Sequence, residues 1–248
     1  RRRQPAEPGM ILLLDAGNTR LKWAWLAEGP ARHTVHASPH HDLTALEQTC
    51  RITPPRRVLG ASVTSSERNA AIMAAVGRPV EWLVPAASCA GVTNAYRDPD
   101  RLGADRWAQM IGAHHEQPGD QVLVSAGTAL TIDCLDREGR FWGGTIAPGL
   151  GLLRHSLAEG TARLGLPDGN WQEYPDNSAD AIFSGCLNAL TAPIEAQVAR
   201  FGSQLGRPVR LTLAGGDASL LAQHLAIDGT IVDNLVLSGL AHLARMSC

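Results

Sequence analysis

The chain lacks any long hydrophobic run, although 44% of its 248 residues are apolar. An apolar segment such as Ile11-Leu12-Leu13-Leu14 is far shorter than the roughly 20 residues that a transmembrane helix needs. A net charge of only −2 gives no reason to expect a nucleic acid or an anionic membrane surface as a general partner. The ordinary apolar fraction predicts a globular protein with a buried core.

Cysteine motifs are also missing. The chain has five scattered cysteines, and no Cys-x-x-Cys motif occurs: Cys50, Cys89, Cys134, Cys186 and Cys248. We therefore expect reduced thiols in a cytoplasmic protein, rather than a disulfide framework or a zinc site. Residues 1–9 are rich in Arg and Pro and are not followed by the apolar core of a secretion signal. They are predicted to form a flexible arm.

A short apolar strand and a glycine turn open the part of the chain that is predicted to fold. Residues 11–14 predict a buried strand, and the alternating apolar residues of 21–25 predict a second strand that returns beside it. Gly17-Asn18 would supply the tight turn between them, because both residues tolerate positive φ. An ordinary Asn-containing hairpin with a solvated Asp is the alternative interpretation.

The chemistry around this turn suits a metal-bound polyphosphate. Mg²⁺ prefers oxygen ligands and is usually held together with substrate phosphates, so Asp15 is predicted to face the cation or its waters. Gly17 to Thr19 would offer N–H groups and a hydroxyl to phosphate oxygens. Lys22 would add a positive charge.

The same pattern recurs in the second half of the chain. Ser125-Ala126-Gly127-Thr128 again lies between an apolar strand and an alternating one, 110 positions after the first turn. That separation is a domain length, so we predict two similar domains, 10–117 and 118–248, with their Gly-Thr turns across one cleft. Each turn would hold one end of a triphosphate. Chance similarity between two hairpins is the alternative.

Strands alternate with helices along the rest of the chain, which favours mixed α/β sheets. The longest helical pattern covers residues 179–201, where Pro193 is predicted to kink or split the helix. This helix is apolar on two sides. It is therefore predicted to lie between its own sheet and a second layer, or simply to be a central core helix.

Polar residues before and at the start of the helix predicted at 102–117 form a second group of candidates. Gly103 permits close contact, and Asp105 and Arg106 follow in the first turn. An ionised carboxylate can accept the proton of an attacking hydroxyl, as an Asp does in kinases, and a planar guanidinium can bind an anionic acceptor. A favourable interaction of Asp105 with the helix dipole, beside a solvated Arg106, is the alternative explanation.

Five segments, taken in order, resemble the type III pantothenate kinases, and most closely the subset also called Bvg accessory factor. These segments are Asp15-x-Gly-Asn-Thr-x-x-Lys22, Gly103-Ala-Asp-Arg106, Ser125-Ala-Gly-Thr-Ala129, Asn177-Ser178-x-x-Ala-Ile182 and Gly215-Gly-Asp217. The similarity extends from about residue 11 to near the C-terminus.

The resemblance implies an α/β actin-like ATPase (ribonuclease H-like) fold, with two similar domains of mixed sheets and an inter-domain cleft. It implies ATP-dependent phosphorylation of pantothenate to 4'-phosphopantothenate, the first step of coenzyme A biosynthesis, with Mg²⁺ and in a homodimer. The alternatives are a non-enzymatic regulatory accessory factor on the same fold, or another small-molecule kinase of the superfold. Direct DNA binding is not expected, because no clustered basic helix occurs.

The resemblance also assigns residues to each ligand. The ATP-binding residues would be Asp15, Ala16, Gly17, Asn18, Thr19, Arg20, Leu21, Lys22 and Thr128, with Asp15 reaching the metal of Mg-ATP. The pantothenate-binding residues would be Tyr96, Gly103, Ala104, Asp105, Arg106 and Ser178, with Asp105 as the catalytic proton acceptor. Ser178 stands where the family usually has a Thr, and it keeps the hydroxyl.

Ser125 departs from the family pattern. Members commonly carry an Asp at this position, where it helps to hold a monovalent cation such as K⁺ or NH₄⁺. Serine has no charge and is a weaker ligand, so we expect activity to depend less steeply on potassium than in members with the Asp. A KCl titration at constant ionic strength measures this dependence, and a sharp, absolute requirement would contradict the prediction.

Overall fold

A computed structural model describes residues 10–26, 34–161 and 163–246. The predicted arm at 1–9 and Cys248 lie outside these residues. The strands are β1 (Ile11–Ala16), β2 (Arg20–Leu26), β3 (Val35–Pro39), β4 (Arg57–Ser62), β5 (Glu81–Trp82), β6 (Ser88–Cys89), β7 (Val92–Thr93), β8 (Gln121–Ala126), β9 (Ala129–Leu135), β10 (Phe141–Pro148), β11 (Arg210–Ala214) and β12 (Thr230–Ile231). The helices are α1 (Thr44–Ile52), α2 (Ser66–Val76), α3 (Ala104–Glu116), α4 (Leu150–Gly160), α5 (Ser178–Leu205), α6 (Ala218–His224) and α7 (Leu235–Met246), with a short 3-10 helix at Pro99–Arg101.

Two five-stranded sheets have the same topology. The first has the order β3-β2-β1-β4-β5, and the second has the order β10-β9-β8-β11-β12. In each sheet the leading strand pairs antiparallel with the next strand of its hairpin and parallel with the strand on its other side. The predicted duplication of a strand-turn-strand unit in a mixed α/β fold is therefore confirmed.

The first sheet is covered by helices on both faces. Leu12 and Leu14 pack with apolar residues of α1 and α2, whereas Ile11 and Leu13 pack with α3 and α7. Leu12, Leu13 and Leu14 are completely buried. This two-sided burial explains why β1 is a continuous apolar run rather than an alternating one.

The second sheet has its apolar core against α5 and α6. Val122 and Val124 of β8 belong to one buried cluster with Leu187, Leu190 and Ile194 of α5. Pro193 was predicted to kink or split this helix, and the split is wrong, because α5 continues over 28 residues with the proline inside it. The buried side chains on either side of Pro193 stabilise the helix against the loss of one backbone hydrogen bond.

Contacts group the described residues into two compact units. The first contains 10–26, 34–90, 96–116 and 235–246, and the second contains 91–95, 117–161 and 163–234. The sequence division at residue 118 places α7 in the second half, whereas α7 packs on α3 in the first unit. As limits of functional domains, 10–117 and 118–248 stay a prediction. Among the described helices, none has the length and hydropathy of a bilayer span.

Glycines allow α3 and α7 to approach each other very closely. A Cβ atom at Gly239 would overlap the carbonyl oxygen of Ala108, and one at Gly112 would overlap that of Leu235. The backbones of the two helices are therefore in contact, which no larger residue at these positions would permit.

Gly239→Ala should lower the free energy of unfolding by at least about 2 kcal/mol, because the helices must move apart or strain. Gly185→Ala is the matched control, since a Cβ there meets no atom within 4 Å. Its better helix propensity should raise the free energy of unfolding by about 0.5–1 kcal/mol. Urea denaturation of both variants measures these changes, and equal values would contradict the close packing.

Candidate active site

The first Gly-Thr turn joins β1 to β2. In the antiparallel register, Ala16 faces Leu21 and Asp15 faces Lys22, so the carboxylate and the ammonium are cross-strand neighbours next to the turn. Neither Gly17 nor Asn18, both within the described residues, has positive φ. The expectation that this turn uses the left-handed region is therefore wrong, and the connection bends with ordinary backbone angles.

Two side chains hold the carbonyl oxygens of this turn. His40 Nε2 lies 2.6 Å from the oxygen of Gly17, and Arg68 Nη1 donates to the oxygen of Asn18 at 2.8 Å. Sequence reasoning missed both residues, because a contact between a distant side chain and a backbone carbonyl leaves no motif. The Ser65 side chain caps α2 by accepting the backbone N–H of Arg68.

Asp15 is a half-buried carboxylate. Burial raises its pKa to about 6, the nearby Lys22 lowers it, and the negative charge of Asp105 raises it further. An interaction of this kind requires that Asp15 and Asp105 lie near each other. The structure therefore brings the predicted metal-facing residue and the predicted proton acceptor together in the first unit.

Asp105 lies in the first turn of α3, next to a glycine that leaves room for its carboxylate. Its Oδ1 accepts the backbone N–H of Arg106 at 2.7 Å, and a Cβ at Gly103 would come within 2.7 Å of that oxygen. Burial raises the pKa of Asp105, although the N–H and the charge of Arg106 lower it. A higher pKa makes the carboxylate a better proton acceptor.

Arg106 is only 4% exposed and is held by Tyr96. Its Nη1 donates to the Tyr96 hydroxyl at 2.9 Å, and its guanidinium carbon lies 5.7 Å from the centre of the ring. Ala104 is buried in the core of the first unit. The predicted pantothenate residues Tyr96 and Gly103 to Arg106 thus form one group.

The second Gly-Thr turn joins β8 to β9 and is exposed at Thr128. The oxygen of Thr128 accepts the backbone N–H of Gly149 at 2.9 Å. A Cβ at Gly149 would overlap the carbonyl oxygen of Gly127, so a glycine is needed there. The start of α4 is therefore packed directly against this turn.

The end of β11 reaches the same place. Gly215 has φ of +100°, and a Cβ on it would overlap the carbonyl oxygen of Ala126. That oxygen also accepts the N–H of Asp217 at 3.1 Å. Ser178 lies elsewhere in the second unit, exposed at the start of α5 after the capping residue Asn177.

The residues around the first turn fit a nucleotide with a divalent metal ion. Mg²⁺ is usually bound through one or two carboxylates together with phosphate oxygens, and Asp15 supplies a carboxylate whose charge is poorly solvated. Lys22 and the exposed N–H side of the turn suit the phosphates. No set of three or more His, Cys, Asp or Glu side chains that could hold a metal ion occurs within the described residues.

Two mixed sheets of one topology, each with a Gly-Thr turn after its leading strand, define the class of actin-like ATPases and kinases. A solved structure from Sinorhizobium meliloti, described as a 2-dehydro-3-deoxygalactonokinase, has the same fold, with a TM-score of 0.61 and 17% identity. The match covers 96% of this chain and 99% of that one.

The family follows from comparison with known sequences. The family model described as type III pantothenate kinase matches residues 11–200. A type III pantothenate kinase of Laribacter hongkongensis is 98% identical over 96% of this chain and all of its own length. That of Aromatoleum aromaticum is 43% identical over 95% of this chain and 98% of its own. The chain belongs to the type III pantothenate kinase family.

Asp15→Asn should stabilise the protein at pH 8 while reducing activity. A carboxyl group with a raised pKa in the folded state favours folding at low pH, and that contribution is lost as the pH rises through about 6. At pH 8 the ionised group therefore destabilises the fold by up to about 3 kcal/mol, which the amide avoids.

Urea denaturation at pH 8 and at pH 4.5 tests this prediction, since the gain should fall to about 1 kcal/mol at the lower pH. Asp42→Asn is the control, because a hydrogen bond from Thr44 lowers the pKa of that exposed carboxyl group. It should give no gain in stability at pH 8. A loss of stability in Asp15→Asn at pH 8 would contradict the prediction.

Proposed function

We propose that this member of the type III pantothenate kinase family uses Asp105 as the proton acceptor of its reaction. The enzyme phosphorylates pantothenate with ATP, and the product, 4'-phosphopantothenate, enters coenzyme A biosynthesis. The observation that carries the proposal is the proximity of two desolvated carboxylates in one unit, Asp15 and Asp105. Asp15 is suited to face a metal-bound phosphate, and Asp105 is suited to accept the proton of a hydroxyl group.

ATP would be bound by the residues from Asp15 to Lys22 and by Thr128. In the first turn, the N–H groups of Asn18 and Thr19 and the Thr19 hydroxyl donate to phosphate oxygens, and Lys22 offsets part of their charge. A divalent ion beside Asp15 would neutralise charge on the phosphate oxygens. The raised pKa of Asp15 supports this role, because a nearby cation stabilises the ionised carboxylate.

Pantothenate would be bound by Tyr96, Gly103, Ala104, Arg106 and Ser178. Its carboxylate matches the planar guanidinium of Arg106, which can form two parallel hydrogen bonds with it. The Tyr96 contact orients that guanidinium before the substrate arrives, so less side-chain freedom is lost on binding.

The chemical step needs little covalent participation from the protein. The hydroxyl oxygen of pantothenate attacks the γ-phosphorus of ATP, its proton passes to a carboxylate oxygen of Asp105, and the bond from phosphorus to the leaving oxygen of ADP breaks. The backbone N–H of Arg106, bound to Oδ1, keeps the carboxylate of Asp105 in place.

The association state, the location and a monovalent ion belong to the same proposal. Exposed apolar residues of the second unit, Ile146, Leu152 and Trp171, support a homodimer, since such side chains are common at contact surfaces. A cytoplasmic location fits the chain's free cysteines, four of which are described.

A K⁺ or NH₄⁺ ion would be held weakly, because Ser125 offers only a hydroxyl.

Asp105→Asn should lower kcat at least 100-fold, because the amide is nearly isosteric but is a poor proton acceptor. The KM for ATP should change little. Asp100→Asn, an exposed change in the neighbouring 3-10 helix, is the control and should keep the normal rate.

Coupled ADP release with pantothenate, a sugar and acetate as separate acceptors measures these rates. We expect turnover with pantothenate and none with the sugar or acetate. If none of the three acceptors supports turnover, a regulatory protein would be favoured. A normal kcat in Asp105→Asn would remove that residue from the proposed role.

A further inference from the structure

His40 and Arg68 contact the first turn from the side that no ligand is proposed to occupy. We propose that both are positioning residues, which aim the N–H groups of Asn18 and Thr19 at the phosphates of ATP. This inference rests on the proposed binding of ATP phosphates at this turn. It adds two residues that lie outside every segment that carries the family resemblance.

The argument starts from the geometry of the peptide unit. The carbonyl of one residue and the N–H of the next point in opposite directions, because the peptide bond is planar and trans. A side chain that holds the oxygen of Gly17 therefore fixes the direction of the Asn18 N–H. One that holds the oxygen of Asn18 fixes the Thr19 N–H in the same way.

His40 makes the first of these contacts. Its Nε2 lies 2.6 Å from the oxygen of Gly17, and because a carbonyl oxygen only accepts, Nε2 must carry the hydrogen. Its Nδ1 is buried and has no hydrogen-bond partner in the described part of the chain. The ring therefore makes a single directed polar contact, and that contact is with the turn.

Arg68 makes the second contact from the first turn of α2. Its own backbone N–H is bound by the capping oxygen of Ser65 at 3.3 Å, which fixes the start of the helix. From there Nη1 donates to the oxygen of Asn18 at 2.8 Å and also lies 3.3 Å from Thr64 Oγ1. A guanidinium so anchored both orients the peptide and adds positive charge near bound phosphate.

The second Gly-Thr turn supports this interpretation. There the carbonyl of Thr128, the equivalent of Asn18, is held at 2.9 Å by the backbone N–H of Gly149, so the main chain does what Arg68 does in the first turn. Both turns follow the same strand in the two equivalent sheets. Each turn has a carbonyl oxygen held by a hydrogen bond, which restricts the rotation of its peptide unit.

Arg68→Ala and His40→Ala should each raise the Kd of MgATP about tenfold, because a contact to a charged or buried donor is lost. The change in kcat should stay within about threefold, and the KM for pantothenate should stay the same. Arg68→Lys and His40→Gln each restore a donor near the lost nitrogen, and should recover part of the affinity.

Isothermal titration calorimetry with MgATP and steady-state kinetics with both substrates give these values for the full chain. Arg51→Ala is the control for charge, since Arg51 is exposed in the last turn of α1, and it should bind ATP normally. Urea denaturation of each variant shows whether the fold is retained. If an alanine variant does not fold, Arg68→Met or His40→Leu, which also lack a donor, takes its place.

Thr19→Ala separates this inference from the assignment beneath it. If Thr19→Ala and Asp15→Asn leave the Kd of MgATP unchanged, the turn does not bind phosphate. The proposal that ATP binds at this turn is then wrong. If those variants bind weakly while Arg68→Ala and His40→Ala bind normally, the positioning role alone is overturned. It is also overturned if Arg68→Ala and His40→Ala weaken the binding of pantothenate and the binding of ATP equally.

Discussion

The poorly solvated carboxylate of Asp15 is the constraint around which the first unit is organised. It lies near the end of a strand in which Leu12, Leu13 and Leu14 are completely buried, and it is itself half-buried. A second carboxylate nearby raises its pKa further. A folded protein tolerates such an arrangement only because the apolar packing of β1 on both faces offsets it. Functional sites are common places for strain of this kind.

The two halves of the molecule reach the same local geometry by different means. In each, a Gly-Thr turn follows the leading strand of a five-stranded sheet. In the first half, side chains of His40 and Arg68 contact the turn, whereas in the second half the main chain of Gly149 does so. Duplication thus preserved the hairpin and the sheet order, while the surrounding contacts diverged.

The sequence predicted the fold well where the signal was local. Apolar runs next to glycine turns located β1, β2, β8 and β9. The position of α7 was not predictable, because its packing depends on Gly112 and Gly239, which are far apart in the chain. The short strands and 3-10 helix of 88–101 were also missed, since two or three residues carry no periodic pattern.

In the candidate site, too, local patterns were predicted from the sequence and contacts between distant residues were not. Asp15, Lys22, Gly103 and Asp105 were proposed from residue type and spacing, and in the structure the charge of Asp105 acts on Asp15. The burial of Arg106 against Tyr96 could not be read from the sequence, because a charged residue at a helix start is usually exposed. The conformation of the first turn was also misjudged, since this turn needs no positive φ.

The docking of α7 on α3 has a consequence for biosynthesis. The second unit is continuous in sequence from 117 to 234, but the first is completed only by residues 235–246. As the chain leaves the ribosome, the second unit can therefore finish folding before α7 has been synthesised. During that time the surface of the first sheet that α7 covers is still exposed. Until residues 235–246 have emerged and docked, that surface is a target for chaperones and for aggregation.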